Sequence, residues 1–150
     1  RQHDAINLGQ GFPDFGWSPD VLAAGAEAIT TGYNQYPPMR GLPALREAVA
    51  SFYRRRQGLA IDPSQVIVTS GATEALAASI MAVARAGDEV ILFAPAYDAY
   101  APLVQRAGAR LVWVALQPPD WQASAEAIAA AITPATRAIL SRPLTAEGGA

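Results

Sequence analysis

Two rhythms of apolar and polar residues divide the chain. In the first part, Ser18-Pro19-Asp20 reads as an N-cap followed by a first-turn proline and acid, and predicts a helix that stops near Gly32. A turn-rich stretch from Tyr33 to Gly41 follows. A second helix is predicted from Pro43 through Leu45, Val49 and Phe52 to a stop at Gly58. From Gln65 the rhythm changes to short β-branched or apolar runs separated by longer helical ones. Strands are predicted at Val66–Val68, Val90–Phe93, Leu111–Leu116 and Arg137–Leu140. Helices are predicted at Ala72–Ala86 (stopped by Gly87), at about Ala99–Ala107 and at Ser124–Ile132. The strand runs are continuously apolar rather than alternating, as a sheet covered on both faces requires. The expected architecture is therefore α/β: a three-layer domain with a mainly parallel sheet over residues 61–150, preceded by an N-terminal arm over residues 1–60. No internal repeat is present, and the alanine richness belongs to the helices.

Composition narrows the function classes. The chain has 150 residues, 51% of them hydrophobic and 16% charged, with a formal net charge of -2. That is far from disordered composition and long enough for a sizeable core. The one basic run, Arg54-Arg55-Arg56, falls late in a predicted helix and complements its dipole, so neither nucleic acid nor a membrane is an expected partner. With no cysteine, disulfides, Cys-zinc sites and thiol nucleophiles are excluded, and no metal is expected. The single histidine is His3, and there is neither an apolar run of about 20 residues nor a secretory segment, so a soluble, cytoplasmic protein is expected. All 11 basic residues are arginine, which excludes Schiff-base lysine chemistry within these residues. A chain opening on Arg1 instead of methionine is expected to be a fragment or a processed product.

The main chemical feature is Val68-Thr69-Ser70-Gly71-Ala72-Thr73-Glu74. A strand ends, a glycine permits a tight turn, and a long helix begins at once. Free amides there, with the Ser70 and Thr73 hydroxyls, make a cup for an anion such as phosphate. An ordinary cap built from Ser70, Thr73 and Glu74 explains the same residues. The segment is neither a Walker loop, which needs a lysine, nor a dinucleotide fingerprint, because only Gly71 is present. Tyr97 follows the next strand, on the sheet edge where ligands of parallel sheets bind. It either offers a ring face to a flat cofactor or packs with Tyr100 as ordinary aromatic core. Gly9-Gln10-Gly11, Asn34-Gln35-Tyr36 and Arg40-Gly41 are loops that expose amides, a tyrosine and a cation, and decide nothing alone.

Together these motifs resemble the fold-type I, pyridoxal-phosphate-dependent aminotransferases of class I/II over roughly residues 5–140. Ile6-Asn7-Leu8-Gly9-Gln10-Gly11-Phe12-Pro13-Asp14-Phe15 looks like the opening of the kynurenine/glutamine/methionine aminotransferase branch. Asn34-Gln35-Tyr36, Gly41-Leu42-Pro43-Ala44-Leu45-Arg46, Ser70-Gly71-Ala72-Thr73-Glu74-Ala75, Gly87-Asp88-Glu89-Val90 and Pro95-Ala96-Tyr97-Asp98-Ala99-Tyr100 follow in the family order. The resemblance implies pyridoxal 5'-phosphate as cofactor, with amino acids and 2-oxo acids as substrates. It implies that Gly71, Ala72 and Thr73 hold the cofactor phosphate and that Tyr97 stacks on its ring. Gly11 would bind the substrate carboxylate through its amide, and Tyr36 would reach the phosphate site of a second subunit in a homodimer. Residues 1–60 would then be an arm and small-domain or dimer-interface segment, and residues 61–150 an incomplete cofactor-binding large domain.

After Leu140 the family's asparagine-proline segment is expected, but Ser141-Arg142-Pro143-Leu144-Thr145-Ala146-Glu147-Gly148-Gly149-Ala150 retains little of it. The Schiff-base lysine is absent, and arginine cannot replace it because it stays protonated. The expectation is the N-terminal part of an aminotransferase, inactive as this chain. The alternatives are a non-catalytic remnant, serving as a dimerising or phosphoryl-ligand-binding module, and a fragment of a related lyase that uses the same cofactor.

Overall fold

The computed structural model describes residues 15–32 and 34–141. They divide into two compact units that meet in sequence at Val68 and Thr69, eight residues beyond the arm boundary expected above.

The first unit carries α1 (Pro19–Thr31) and α2 (Pro43–Gln57), each with proline in its first turn. Arg54, Arg55 and Arg56 occupy the last turn of α2, and Gly58 ends the helix at φ 68°, returning its N–H to the Tyr53 carbonyl. Beyond it, a short 3-10 turn at Pro63–Gln65 is closed at both ends: the Asp62 carboxylate accepts the Ser64 N–H at 2.7 Å, and the Gln65 side chain accepts the Asp62 N–H at 3.0 Å. Arg46 holds the same turn from α2. Its Nε and Nη2 donate to the Pro63 carbonyl at 3.0 and 2.6 Å, and its Nε also donates to the Val66 carbonyl at 3.1 Å.

Hydrogen bonds from Ser64, and more weakly the charge of Arg46, hold the Asp62 carboxyl below its ordinary range. A carboxylate with a lowered pKa stabilises the folded state above the unfolded-state value, and that contribution is lost as pH falls through the folded-state value. Asp62→Asn is therefore expected to flatten the acid side of the stability profile, read as urea midpoints between about pH 5 and pH 3.

Val66–Val68 corrects the expected strand count. The segment starts extended, but it pairs with no strand among the described residues. Its backbone groups are taken locally: Val66 N–H by the Pro63 carbonyl, Val66 C=O by Arg46, and Val68 N–H by the Arg40 carbonyl at 3.1 Å. β-Branched residues favour extension, but only a neighbouring backbone makes a strand. Gly41, at φ 94°, lies so close to this segment that a Cβ there would sit 2.7 Å from the Val68 Cβ. Gly41→Ala is expected to cost about 2 kcal/mol in urea unfolding, from backbone strain and overpacking together.

The second unit is the α/β core. Its strands are β1 (Glu89–Ala94), β2 (Arg110–Ala115) and β3 (Thr136–Leu140), in the order β2-β1-β3, all parallel. Its helices are α3 (Gly71–Val83), α4 (Tyr100–Arg106) and α5 (Ala125–Ala131), the last capped by the Ser124 hydroxyl. Val90 is 1% exposed and Ile91 0%; they point to opposite faces of the central strand, so both faces are covered. On the Val90 face the core comprises Ile80 and Ala84 with Val104 and Ala109.

Helix α3 ends three residues before the expected Ala86. Arg85 and Asp88 exchange hydrogen bonds, Arg85 N–H to the Asp88 carboxylate at 3.1 Å and Asp88 N–H to the Arg85 carbonyl at 3.0 Å. That turn draws the chain out of the helix at Ala84, whose side chain enters the core. At the amino ends of the strands, the buried Glu89 carboxylate accepts from Arg110 of β2 and from the Thr133 hydroxyl, the latter at 2.7 Å. A register shift opposite Glu89 and Val90 sets Arg137 out of step, 3.6 Å from Asp88. The two successive acids at the head of β1 thus each engage a different flanking strand.

Candidate active site

Gly71 opens α3 at φ 84°, a conformation that disfavours side chains, and nothing lies within 4 Å of where a Cβ would stand. The Ser70 side chain makes no capping bond. Instead the Glu74 carboxylate folds back onto the Ser70 N–H, Gly71 N–H reaches the Thr69 carbonyl at 2.9 Å, and the Thr69 hydroxyl donates to the Gly71 carbonyl at 3.0 Å. Half of the anticipated cap is thus present, supplied by Glu74 and not by the Ser70 hydroxyl. Ala72 and Thr73 form the exposed first turn, where amide donors lack helical acceptors.

Tyr97 lies beyond the carboxyl end of β1, in the loop before α4, with the residue 53% exposed. Its ring meets Tyr100 at a centroid distance of 5.6 Å and an interplanar angle of 71°. Gly71, Ala72, Thr73 and Tyr97 all belong to the second unit. Tyr36 belongs to the first and is 99% exposed, beside Asn34, Gln35 and Pro37 at a shallow surface depression. Gly11 lies outside the described residues, as does His3. Arg40 donates to the Ser64 carbonyl, a structural use of a cation that the sequence left open.

Sequence reading missed the Asp62–Gln65 box and the Arg46 clasp. The first had a local signal, an acid followed three residues later by glutamine; the second joins residues 17 and 20 positions apart and had none. Among the described residues, no cluster of His, Cys, Asp or Glu could hold a metal ion, and no helix is long and apolar enough to cross a membrane.

The second unit thus combines a parallel sheet, a glycine-led helix start and an aromatic beyond the carboxyl end of the central strand. The chain belongs to the aminotransferase class I and II family, whose defining pattern matches residues 3–141. It is 47% identical over 139 residues to a probable N-succinyldiaminopimelate aminotransferase of Mycobacterium tuberculosis, covering 91% of this chain and 35% of that protein. Against the methionine aminotransferase of Escherichia coli strain K12 it is 45% identical over 141 residues, covering 93% and 36%. The structure superposes on the E. coli protein whose crystal structure identified a methionine aminotransferase function, with a TM-score of 0.88 over 92% of this chain and 37% of that one. The N-succinyldiaminopimelate aminotransferase structure from M. tuberculosis gives 0.87 over the same shares. The chain thus spans about 35% of the length of the curated relatives it matches.

Proposed function

We propose that this chain forms the cofactor-phosphate part of a pyridoxal 5'-phosphate-dependent aminotransferase that moves an amino group from an amino acid to a 2-oxo acid. The observation that carries the reading is Gly71: a left-handed residue at the first turn of α3, with open space where any side chain would stand. A phosphate can approach such a backbone closely, and the aligned amides of the first turn attract it. The Ala72 and Thr73 amides would donate to its oxygens, with Gly71 letting the phosphate approach the backbone and the Thr73 hydroxyl adding a side-chain donor. Tyr97 would offer its exposed ring to the flat pyridine. The cofactor supplies an electron sink for the carbon that loses its proton, and the protein supplies orientation and electrostatics.

In a homodimer the exposed Tyr36 would reach the phosphate site of a second copy. Gly11 would give its amide to the substrate carboxylate. The relatives act, by name, on methionine and N-succinyldiaminopimelate, which supports a donor class with long, sulfur-containing or acylated side chains. The resemblance to the kynurenine/glutamine/methionine branch is supported by mouse kynurenine–oxoglutarate transaminase 1, which is 37% identical over 155 residues.

The chain has no lysine, so it would bind without catalysing. The same absence supports a second reading, a module that holds a phosphorylated small molecule. Calorimetry with pyridoxamine 5'-phosphate and with unphosphorylated pyridoxamine tests the cup under either reading. The phosphorylated form is expected to bind at least about tenfold more tightly, and Gly71→Val to abolish that preference while leaving helical circular dichroism intact. Equal affinities for the two ligands in the unmutated chain contradict the cup.

A further inference from the structure

Tyr97 leaves the central strand on a loop, and an exposed ring on a loop needs something to fix its plane before it can serve as a platform. We propose that Tyr100 is the positioning residue for Tyr97, holding its ring ready for a flat, phosphorylated heteroaromatic ligand. The proposal rests on the cofactor reading above.

Both the ring and the backbone of Tyr97 are tied to Tyr100. The rings meet edge to face, 5.6 Å apart at 71°, an arrangement that the aromatic quadrupole favours. The Tyr100 N–H donates to the Tyr97 carbonyl at 3.1 Å and closes the turn between them. Tyr100 in turn rides on a fixed element. It is the first residue of α4, whose Val104 is fully buried in the core with Ile80, Ala84, Val90 and Ala109, flanked by Leu103 and Ala107. Tyr97 itself is 53% exposed, while Tyr100 is half-buried, so the anchoring runs from core to helix to Tyr100 to Tyr97. A ring held in place before binding loses less rotamer freedom when the ligand arrives, and that saving appears as affinity. Tyr100 needs no contact with the ligand for this effect.

The role predicts a split that ordinary packing would not give. Binding of pyridoxamine 5'-phosphate, which cannot form an imine with the chain terminus, is measured by calorimetry and by the circular dichroism induced in the bound ligand. Inorganic phosphate is measured by competition. Tyr100→Ala is expected to weaken pyridoxamine 5'-phosphate about three- to tenfold and to reduce the induced signal, with inorganic phosphate unchanged within about twofold. Tyr100→Phe keeps the ring and should retain both. In a Tyr97→Ala background, Tyr100→Ala should do nothing further. If Tyr100→Ala loses helical circular dichroism, Tyr100→Leu, which preserves apolar bulk at the start of α4, carries the same expectation.

Equal loss for both ligands shows a merely structural residue and overturns the proposal. So does unchanged pyridoxamine 5'-phosphate affinity in a folded Tyr100→Ala or Tyr100→Leu chain that still responds to Tyr97→Ala. If the unmutated chain binds pyridoxamine 5'-phosphate no better than inorganic phosphate, the cofactor reading itself fails and the proposal falls with it.

Discussion

The 150-residue chain, supplied with pyridoxal 5'-phosphate, an amino acid and a 2-oxo acid, is expected to transfer no amino groups beyond what the free cofactor achieves unaided. Holding this cofactor as an imine within the site needs a side-chain amine that can lose its proton there, and all 11 basic side chains here are arginine. A guanidinium stays protonated in proteins and presents no free electron pair. His3, the one histidine, is a poor substitute because imidazole does not form a stable imine. Under the proposed function the chain would keep binding alone, through the helix start at Gly71, Ala72 and Thr73 and the ring of Tyr97. Binding a substrate and its transition state equally well lowers no barrier, so a phosphate cup alone does not accelerate the reaction. The assay is formation of the new amino acid by chromatography, with purified chain against a cofactor-only control. Turnover that rises with chain concentration contradicts this expectation.

Leu92→Ala should be the most damaging single substitution for the fold, lowering unfolding stability by about 3 kcal/mol. Leu92 is 0% exposed and lies on β1, the central strand, with Trp113 of β2 and Leu140 of β3 as register partners. A central strand cannot move toward a cavity without disturbing both ladders, so the site collapses poorly and the loss falls in the upper part of the usual range. Domains are stable by only about 5–15 kcal/mol, so such a loss is a large share of the total. It is read as a shift in the urea midpoint at constant slope. Loss of stability below about 1 kcal/mol would show that β1 is not the centre of a packed core. Arg110→Ala is a milder comparison. It strips Glu89 of a charged partner, but the Arg110 side chain is 68% exposed and water can take its place.

The strands at 89–94, 110–115 and 136–140 were legible because their apolar runs are continuous and bounded by turn residues. Helix starts at Pro19 and Pro43 and the stop at Gly58 were legible because proline and glycine act through their own backbone restrictions. Val66–Val68 misled for a physical reason: its residues prefer extension, but no strand among the described residues pairs with it, and Arg46 and the Arg40 carbonyl use its polar groups instead. The end of α3 was hidden because the Arg85–Asp88 exchange depends on a turn that no helical periodicity encodes. The Glu89–Arg110 pairing joins residues 21 positions apart and follows from strand register, which local patterns do not contain. At the candidate site, the helix start at Gly71 was legible from glycine's backbone freedom, whereas which side chain closes it and how the Tyr97 and Tyr100 rings meet depend on side-chain geometry that local patterns do not contain.

The central claim is that a phosphorylated pyridine ligand is held between the first turn of α3 and the Tyr97 ring. Amide-resolved NMR of the isotope-labelled chain, titrated with pyridoxamine 5'-phosphate, tests it most directly. The expected result is a saturating set of shifts at the amides of Gly71, Ala72 and Thr73 and at Tyr97, with inorganic phosphate reproducing only the α3 group. Shifts that leave Gly71–Thr73 untouched, or that never saturate, would contradict the claim.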